Sequence, residues 1–219
     1  MGEGMTAPDR ERDDWQAQLA AGARSLGVPL DAVALDRCWR LALALRERNQ
    51  QVNLTAIDEL PQMRALHFLD SLAVVPHLGT ARRILDVGTG GGFPGLPLAI
   101  ACPDRQFTLI DGTQKKIRFV AEMIETLSLP NATALASRAE SYHPDAPFDA
   151  VVIRAVGALG DLVRHCRHLV ARGGRLLALK GRRPDEEIAQ LPPRWRVELI
   201  PLSVPEVAAE RHLAVLRYS

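Results

Sequence analysis

Cysteine is scarce in this 219-residue chain, and the three present, Cys38, Cys102 and Cys166, stand far apart with no CxxC pair and no Cys/His ligand spacing. That excludes a disulfide scaffold and reads them as small core residues in a reducing compartment, so a cytoplasmic location is expected. The six histidines show no metal-ligand spacing either, and no metal is expected. No apolar run approaches the roughly 20 residues needed to cross a bilayer. The opening MGEGMTAPDRERDD lacks the apolar segment of a secretory signal. Repeats and low-complexity stretches are absent. Lysine is equally scarce, three residues among the 27 cations, so arginine richness is chain-wide and says little locally.

What is present is an ordinary globular composition, 47% apolar, in a chain long enough for one α/β core and an appendage. Net charge is only +1, but it is unevenly spread. Residues 1–60 carry 7 Lys/Arg and 10 Asp/Glu, whereas residues 138–183 carry 9 and 4. The second stretch is either a phosphate-facing surface or a solvated basic one.

Two patterns divide the chain near residue 80. Before it, apolar residues recur at helical spacing: helices are expected over 15–27, over 31–53 with Asp31 as N-cap, and from Asp58 to before Pro76. After it, strand-like runs ILDV (84–87), FTLID (107–111), ATAL (132–135), FDAVVI (148–153) and RLLALK (175–180) alternate with helical runs at 96–102, 115–127 and 159–170. Such alternation means βαβ units and a parallel sheet. RVELIPL (196–202) and HLAVLRY (212–218) have no room for a helix between them and should pair antiparallel at one edge. The expected architecture is an α/β, Rossmann-like, seven-stranded doubly wound sheet at 81–219 behind a helical cap at 1–80.

Ligands of such sheets lie at the carboxyl ends of the strands. There ILDVGTGGGFPG (84–95) offers two registers: a dinucleotide fingerprint from Gly90 through Gly92 to Gly95, or an acid, Asp86, ahead of alternating glycines Gly88, Gly90 and Gly92. Both want an acid at the end of the second strand for a ribose diol, and Asp111 stands there. Asp86 separates them, because a desolvated carboxylate opposes a pyrophosphate and attracts the ammonium and sulfonium of S-adenosylmethionine. Phe93 is placed to cover an apolar face of the ligand, and Pro94 suits the first turn of the next helix. These features favour the methyl donor, with a nicotinamide-dependent oxidoreductase as the alternative.

DVGTGGGFPGLPLA, IDGTQKKIRF, SRAE (137–140), VVIRAVGAL (151–159) and LALKG (177–181), with VNLTAI (52–57) and HFLDSL (67–72), resemble the 16S ribosomal RNA guanine-N7 methyltransferases, also called glucose-inhibited division protein B, from about residue 35 onward. The resemblance implies a class I methyltransferase fold, S-adenosylmethionine as donor, and N7 of one guanine near the decoding centre of the small ribosomal subunit as target. It implies that Gly88 and Phe93 contact the donor, that Ala139 and Glu140 frame its adenine, and that Arg154 stands beside donor and substrate. Gly112 departs from the serine more usual in the family.

The chemistry agrees with what is missing. Guanine N7 carries a lone pair and no proton, so it needs positioning and no general base. The Asn/Asp-Pro-Pro-aromatic motif of amine methylation is replaced here by Ile153-Arg154-Ala155-Val156, and no cysteine falls in a strand-end loop. Arg154 is read as a positioning residue toward donor carboxylate or RNA phosphate, against a structural ion pair. Lys180 and Arg182 are read toward RNA; Lys115, Lys116 and Arg118 face either RNA or solvent. Asn53 and Thr55 either close over the site or cap a turn. His67 and Asp70, at i and i+3, read as a packing pair between cap and sheet or as a polar cluster near the site. No long apolar seam marks an obligate dimer, so a monomer is expected.

Overall fold

The computed structural model describes residues 6–154 and 157–219; Ala155 and Val156, which complete the motif-replacing tetrapeptide, lie outside the described residues. The first helix, α1 (Ala7–Ser25), starts earlier than its apolar stripe suggests. Thr6 caps it: its hydroxyl accepts from the Asp9 amide at 3.3 Å, while the Asp9 carboxylate accepts from the Thr6 amide at 3.3 Å. This reciprocal cap recruits a charged first turn that no hydrophobic periodicity marks.

Helix α2 (Ala32–Asn49) begins where Asp31 accepts from the Ala34 amide at 2.7 Å, as expected of that N-cap. Its stripe of Cys38, Leu41, Ala42 and Leu45 is fully buried. Each large apolar side chain so buried contributes about 1.5–3 kcal/mol. The third helical region is compound: α3 (Leu60–Met63), a π-helical turn (Arg64–Leu69) and α4 (Asp70–Leu72). Periodicity finds the helix but not the π winding, which costs one extra residue per turn and occurs often at functional sites.

The strands are β1 (Arg83–Val87), β2 (Gln106–Asp111), β3 (Ala132–Ala136), β4 (Phe148–Arg154), β5 (Val170–Lys180), β6 (Trp195–Pro201) and β7 (His212–Tyr218), in the order β3-β2-β1-β4-β5-β7-β6. β1 to β5 are parallel, and β7 runs antiparallel between β5 and the edge strand β6. The covering helices are α5 (Gly95–Ala101), α6 (Gln114–Thr126) and α7 (Leu159–Cys166), with a short α8 (Asp185–Ala189) that the sequence reading omitted. The helix expected to reach residue 170 ends at Cys166 and a 3₁₀ turn, because β5 starts at Val170 and takes in the Arg172-Gly173-Gly174 arc.

One apolar core lies between the sheet and α1, α2 and α5; a second lies on the opposite face under α7. Trp15 joins the first, its ring 5.4 Å from Trp39 and 5.3 Å from Phe68, with its indole N–H donating to the Leu60 carbonyl at 2.9 Å. Phe68 in turn meets Phe93 edge-on at 5.5 Å. The helical cap is thereby packed directly onto the glycine turn. All three cysteines are buried in these cores.

Candidate methyl-donor and substrate site

The strand order reverses direction between β1 and β4, so their carboxyl ends open the crevice in which such sheets bind ligands. From β3 across to β7 that edge presents Ala139, Asp111, the glycine turn, Arg154, Lys180 and Arg211.

The turn is built around Asp86. Its carboxylate is fully buried; Oδ2 accepts from the Thr89 hydroxyl at 2.5 Å and from the Gly95 amide at 2.8 Å, while Oδ1 has no hydrogen-bond partner among the described residues. Burial pushes its pKa up to about 6, against the opposing pull of those two bonds and of Arg154. The carboxylate therefore has a structural duty that the charge argument from sequence did not include: it holds the turn to the first residue of α5. Gly95 has to be glycine for this, since a Cβ there would stand 2.6 Å from Asp86 Oδ2 and 2.5 Å from Leu109 Cδ2. Gly90 has a positive φ of 58° and donates its amide to Asp111 Oδ2 at 3.0 Å. Asp111 Oδ1 accepts from the Thr113 amide at 2.8 Å, and the residue remains half-exposed at the edge. Gly88 is half-buried beside it.

Phe93 is buried and stacks on His67, with ring centroids 4.7 Å apart and planes 25° from parallel. It thus packs against the cap on one side and carries the Arg154 guanidinium 5.6 Å from its ring centre. Pro94, joined to it by a cis peptide, caps α5 instead of entering its first turn. Ala139 is buried at the start of a 3₁₀ turn; Glu140 is exposed and reaches His165 at 3.1 Å. At Gly112, the departure from the family pattern, a Cβ would lie 3.1 Å from Arg138 Cγ, so the Arg138 stem occupies the space a side chain would use.

Arg154 is both an ion-pair member and a wall of the crevice. Its Nη1 donates to the Leu66 carbonyl at 2.8 Å and lies 3.5 Å from Asp70 Oδ2, and Nη2 lies 3.4 Å from His67 Nδ1. A guanidinium only donates, so Nδ1 accepts and the proton of His67 sits on Nε2, which donates to the Thr55 hydroxyl at 2.8 Å. Burial, and then Arg154, push the His67 pKa down to about 4, so the ring is neutral at pH 7. Asp70 Oδ1 takes the Arg211 Nε at 2.9 Å, and Arg64 forms a bidentate-type pair with Glu206. The π turn therefore connects the end of β4 to the β6–β7 loop. His67 and Asp70 do not bond each other; each bonds Arg154 or its surroundings. Beside Arg154 a pocket of about 390 Å³ opens between His67, Asp70, Leu179, Lys180 and Arg211.

The remaining expected residues divide. Thr55 is tied into its turn and to His67, while Asn53 is exposed. Lys115 and Arg118 are exposed and Lys116 half-buried at the start of α6, none in an ion pair among the described residues. Arg182 is exposed and likewise unpaired among them. Lys180, expected to meet phosphate, is instead committed to Glu187 at 2.8 Å and to the Gly157 carbonyl at 2.9 Å. Its short distance to an acid that α8 supplies could not be read from a chain whose α8 had not been foreseen. Arg211, Thr89 and the Arg64–Glu206 pair were missed altogether. Thr89 left a faint signal, three residues after Asp86, whereas Arg211 lies 141 residues from its partner and left none.

Comparison with known proteins places the chain in a family. Residues 36–214 match the family described as GidB, rRNA small subunit methyltransferase G. A ribosomal RNA small subunit methyltransferase G from Ralstonia nicotianae is 45% identical over 212 residues, covering 93% of this chain and 95% of that protein. Its counterpart from Serratia proteamaculans is 47% identical over 204 residues, 92% of this chain and 98% of that one. Among solved structures, N-methyltransferase NodS from Bradyrhizobium japonicum aligns with a TM-score of 0.55 at 18% identity over 74% of this chain and 99% of its own. TrmN from Thermus thermophilus aligns with a TM-score of 0.54 at 19% identity over 71% and 53%. At such identities these two speak for a class I methyltransferase fold alone.

Proposed function

The chain belongs to the GidB family, rRNA small subunit methyltransferase G, and from that membership we propose that it transfers a methyl group from S-adenosylmethionine to N7 of one guanine in 16S ribosomal RNA, near the decoding centre of the small subunit. The observation that carries this reading is the division of the strand-end crevice into two halves by Arg154. On one side stand the glycine turn, Asp111 and Ala139; on the other is the pocket between His67, Asp70 and Arg211. Two ligands that must react with each other need two adjoining sites, and proximity of this kind can supply roughly 7–11 kcal/mol of a barrier.

The residues of the first half fit S-adenosylmethionine. Asp86 keeps a buried carboxylate oxygen without a partner among the described residues, which suits a cationic ligand and opposes a pyrophosphate. Half-exposed Asp111 is free on its outer side to accept from a ribose diol. Gly88, Gly90 and Phe93 would line the donor's approach, and Ala139 with Glu140 would frame its adenine. When bound, the donor supplies a methyl carbon activated by its sulfonium.

In the second half, Arg154 positions the reactants and no residue is asked to remove a proton. His67, held neutral, cannot add charge next to a purine that becomes positive as the methyl group arrives. Among the described residues Asp70 is the only acid lining the pocket, against Arg154, Arg211 and the Lys180 already paired with Glu187. It offsets the purine's growing charge, while the surplus of arginine suits the nucleotide's phosphate. Lys115, Lys116, Arg118 and Arg182 remain candidates for phosphates farther along the RNA. The protein is read as a cytoplasmic monomer; no described helix is long and apolar enough to cross a membrane.

The test is to map N7-methylguanine in small-subunit RNA from cells with and without this protein. The modification should vanish from one guanine and return when the protein is supplied with donor. If naked RNA and assembled subunits both stay unlabelled while a small molecule or a protein takes the label, the reading fails.

A further inference from the structure

Away from the catalytic edge, the α7 flank of the sheet carries a groove that the proposed reaction does not use. It consists of two adjoining hollows, of about 630 and 450 Å³, which share Arg167 and Tyr218 as a common wall. The larger begins at Ala158 and Gly160, at the start of α7 and a few residues beyond Arg154. The smaller continues to Arg172 and Gly173, at the opposite end of the sheet where β5 begins. The groove therefore runs from the start of α7, which follows β4 in the chain, to the start of β5.

Its chemistry is one-sided. The two acidic side chains that line it among the described residues are already matched, Asp161 by Arg164 and Glu187 by Lys180. Arg167, Arg172 and Arg194 have no side-chain carboxylate within ion-pair distance among the described residues, and all three are exposed. Tyr218 organises two of them. The Arg167 guanidinium lies 3.8 Å from its ring centre, and Arg194 Nη1 donates to its hydroxyl at 3.2 Å. Trp195 meets the Tyr218 ring edge-on at 5.2 Å. Long arginine side chains ordinarily disperse into water. Here an aromatic anchor holds two in place, and the third stands farther along the same channel. Fixed, uncompensated guanidiniums in a row are what a phosphodiester backbone requires, and arginine offers each phosphate a two-pronged donor. Arg167 and Arg172 come from the 138–183 stretch with its excess of positive charge, and Arg194 joins them from just before β6.

We propose that this groove carries the ribosomal RNA strand leading away from the target guanine, with Arg167, Arg172 and Arg194 on its phosphates. The inference rests on the proposed function for the identity of the polyanion. It differs from that function in the surface it assigns, since Lys115, Lys116 and Arg118 lie beyond β2 on the other side of the crevice.

The experiment uses the full chain with Arg167, Arg172 and Arg194 all changed to alanine, and Arg24→Ala, an exposed arginine at the end of α1, as control. Binding to deproteinised 16S RNA is read by fluorescence anisotropy across a salt series, and methyl transfer is measured on small subunits from cells lacking the enzyme. Loss of three phosphate contacts should lower the slope of log affinity against log salt by about 2, at roughly 0.7–0.9 per contact. KM for the subunit should rise at least tenfold with kcat within twofold, and the control should match wild type. An unchanged slope and KM in the triple variant overturn the proposal. So does a variant that binds naked RNA normally yet fails on assembled subunits, which would put a ribosomal protein in the groove. If circular dichroism shows the triple variant unfolded, Arg172→Glu alone carries the test: a lowered salt slope supports the groove and an unaltered one overturns it. A wild-type protein that methylates no ribosomal RNA would sink the proposed function, and the salt slope would still judge the groove.

Discussion

The guanidinium of Arg154 at the end of β4 lies 3.5 Å from the carboxylate of Asp70, across the seam between the sheet and the start of α4, just past the π-helical turn of the cap. Asp70 is also bound to Arg211, at 2.9 Å, so it has a second cation in reserve. That arrangement separates the fate of the fold from the fate of the reaction. Arg154→Ala should leave Asp70 paired and the protein folded, with a melting temperature within a few degrees of wild type. Methyl transfer should fall at least tenfold in kcat/KM, which corresponds to about 1.4 kcal/mol or more of transition-state stabilisation. Equal rates in the two proteins would reduce Arg154 to its ion pair.

Asp86 and His67 predict opposing pH effects. The folded protein raises Asp86 to about 6 from 3.8, so folding favours its protonated form. Its contribution is greatest below pH 3.8 and is lost as pH rises through about 6. His67 is lowered to about 4 from 6.5, so folding favours its neutral form, and its contribution, present above 6.5, is lost as pH falls through about 4. Each amounts to about 3 kcal/mol, and in the wild type they largely cancel. Asp86→Asn removes one side of the balance. Denaturant titrations should therefore show stability falling more steeply from pH 6.5 to 4 in Asp86→Asn than in wild type. Parallel curves would mean that Asp86 does not titrate in this window.

The same carboxylate should be visible in donor binding. A cationic ligand favours ionised Asp86, so affinity for S-adenosylmethionine, measured by calorimetry, should weaken as pH falls below about 6 in the wild type and stay flat in Asp86→Asn. A wild-type affinity independent of pH between 5 and 8 would leave Asp86 with its structural duty alone.

Gly95 and Gly181 offer a matched pair. A Cβ at Gly95 would meet Leu109 and Asp86 at 2.5 and 2.6 Å, whereas nothing lies within 4 Å of one at Gly181. Gly95→Ala should lower unfolding free energy by about 1–3 kcal/mol and weaken donor binding as the turn shifts. Gly181→Ala should change neither by more than about 0.5 kcal/mol. Similar effects at both sites would show that the close approach to Asp86 is not what demands glycine.

Lys180 and Arg182, neighbours in sequence, should part in function. Lys180 is held by Glu187 and by a carbonyl, so Lys180→Ala should cost roughly 1 kcal/mol of stability. Arg182→Ala should leave stability alone and reduce the salt slope of RNA binding by about 0.7–0.9. Salt titration of the two variants beside their melting curves decides the matter.

Most of the architecture was legible because it rests on local repetition. The alternation from ILDV to RLLALK announced the parallel strands in their order along the chain, and the two final runs announced an antiparallel edge. Where periodicity fell silent, boundaries slipped. α1 starts at a polar capping box, and β5 begins early, at Val170, and runs through Ala171-Arg172-Gly173-Gly174, which has no strand pattern. In the site, Asp86, the glycines and Asp111 announced themselves because they sit next to strand ends. The Phe93–His67 stack did not, because its members come from different elements and meet only after the cap packs on the sheet.

By itself the sequence determined the strand-ending acids, the glycine turn and the family motifs, since these are written in contiguous residues whose spacing survives any arrangement of the rest. Only the tertiary structure decided which charges remain available. It committed Lys180 to Glu187, joined Arg154 and Arg211 through Asp70 and, among the described residues, left one oxygen of Asp86 without a partner and three arginines along the flank of the sheet without a carboxylate. A charge acquires its function from the partner it lacks, and partners 80 to 140 residues apart are chosen by packing.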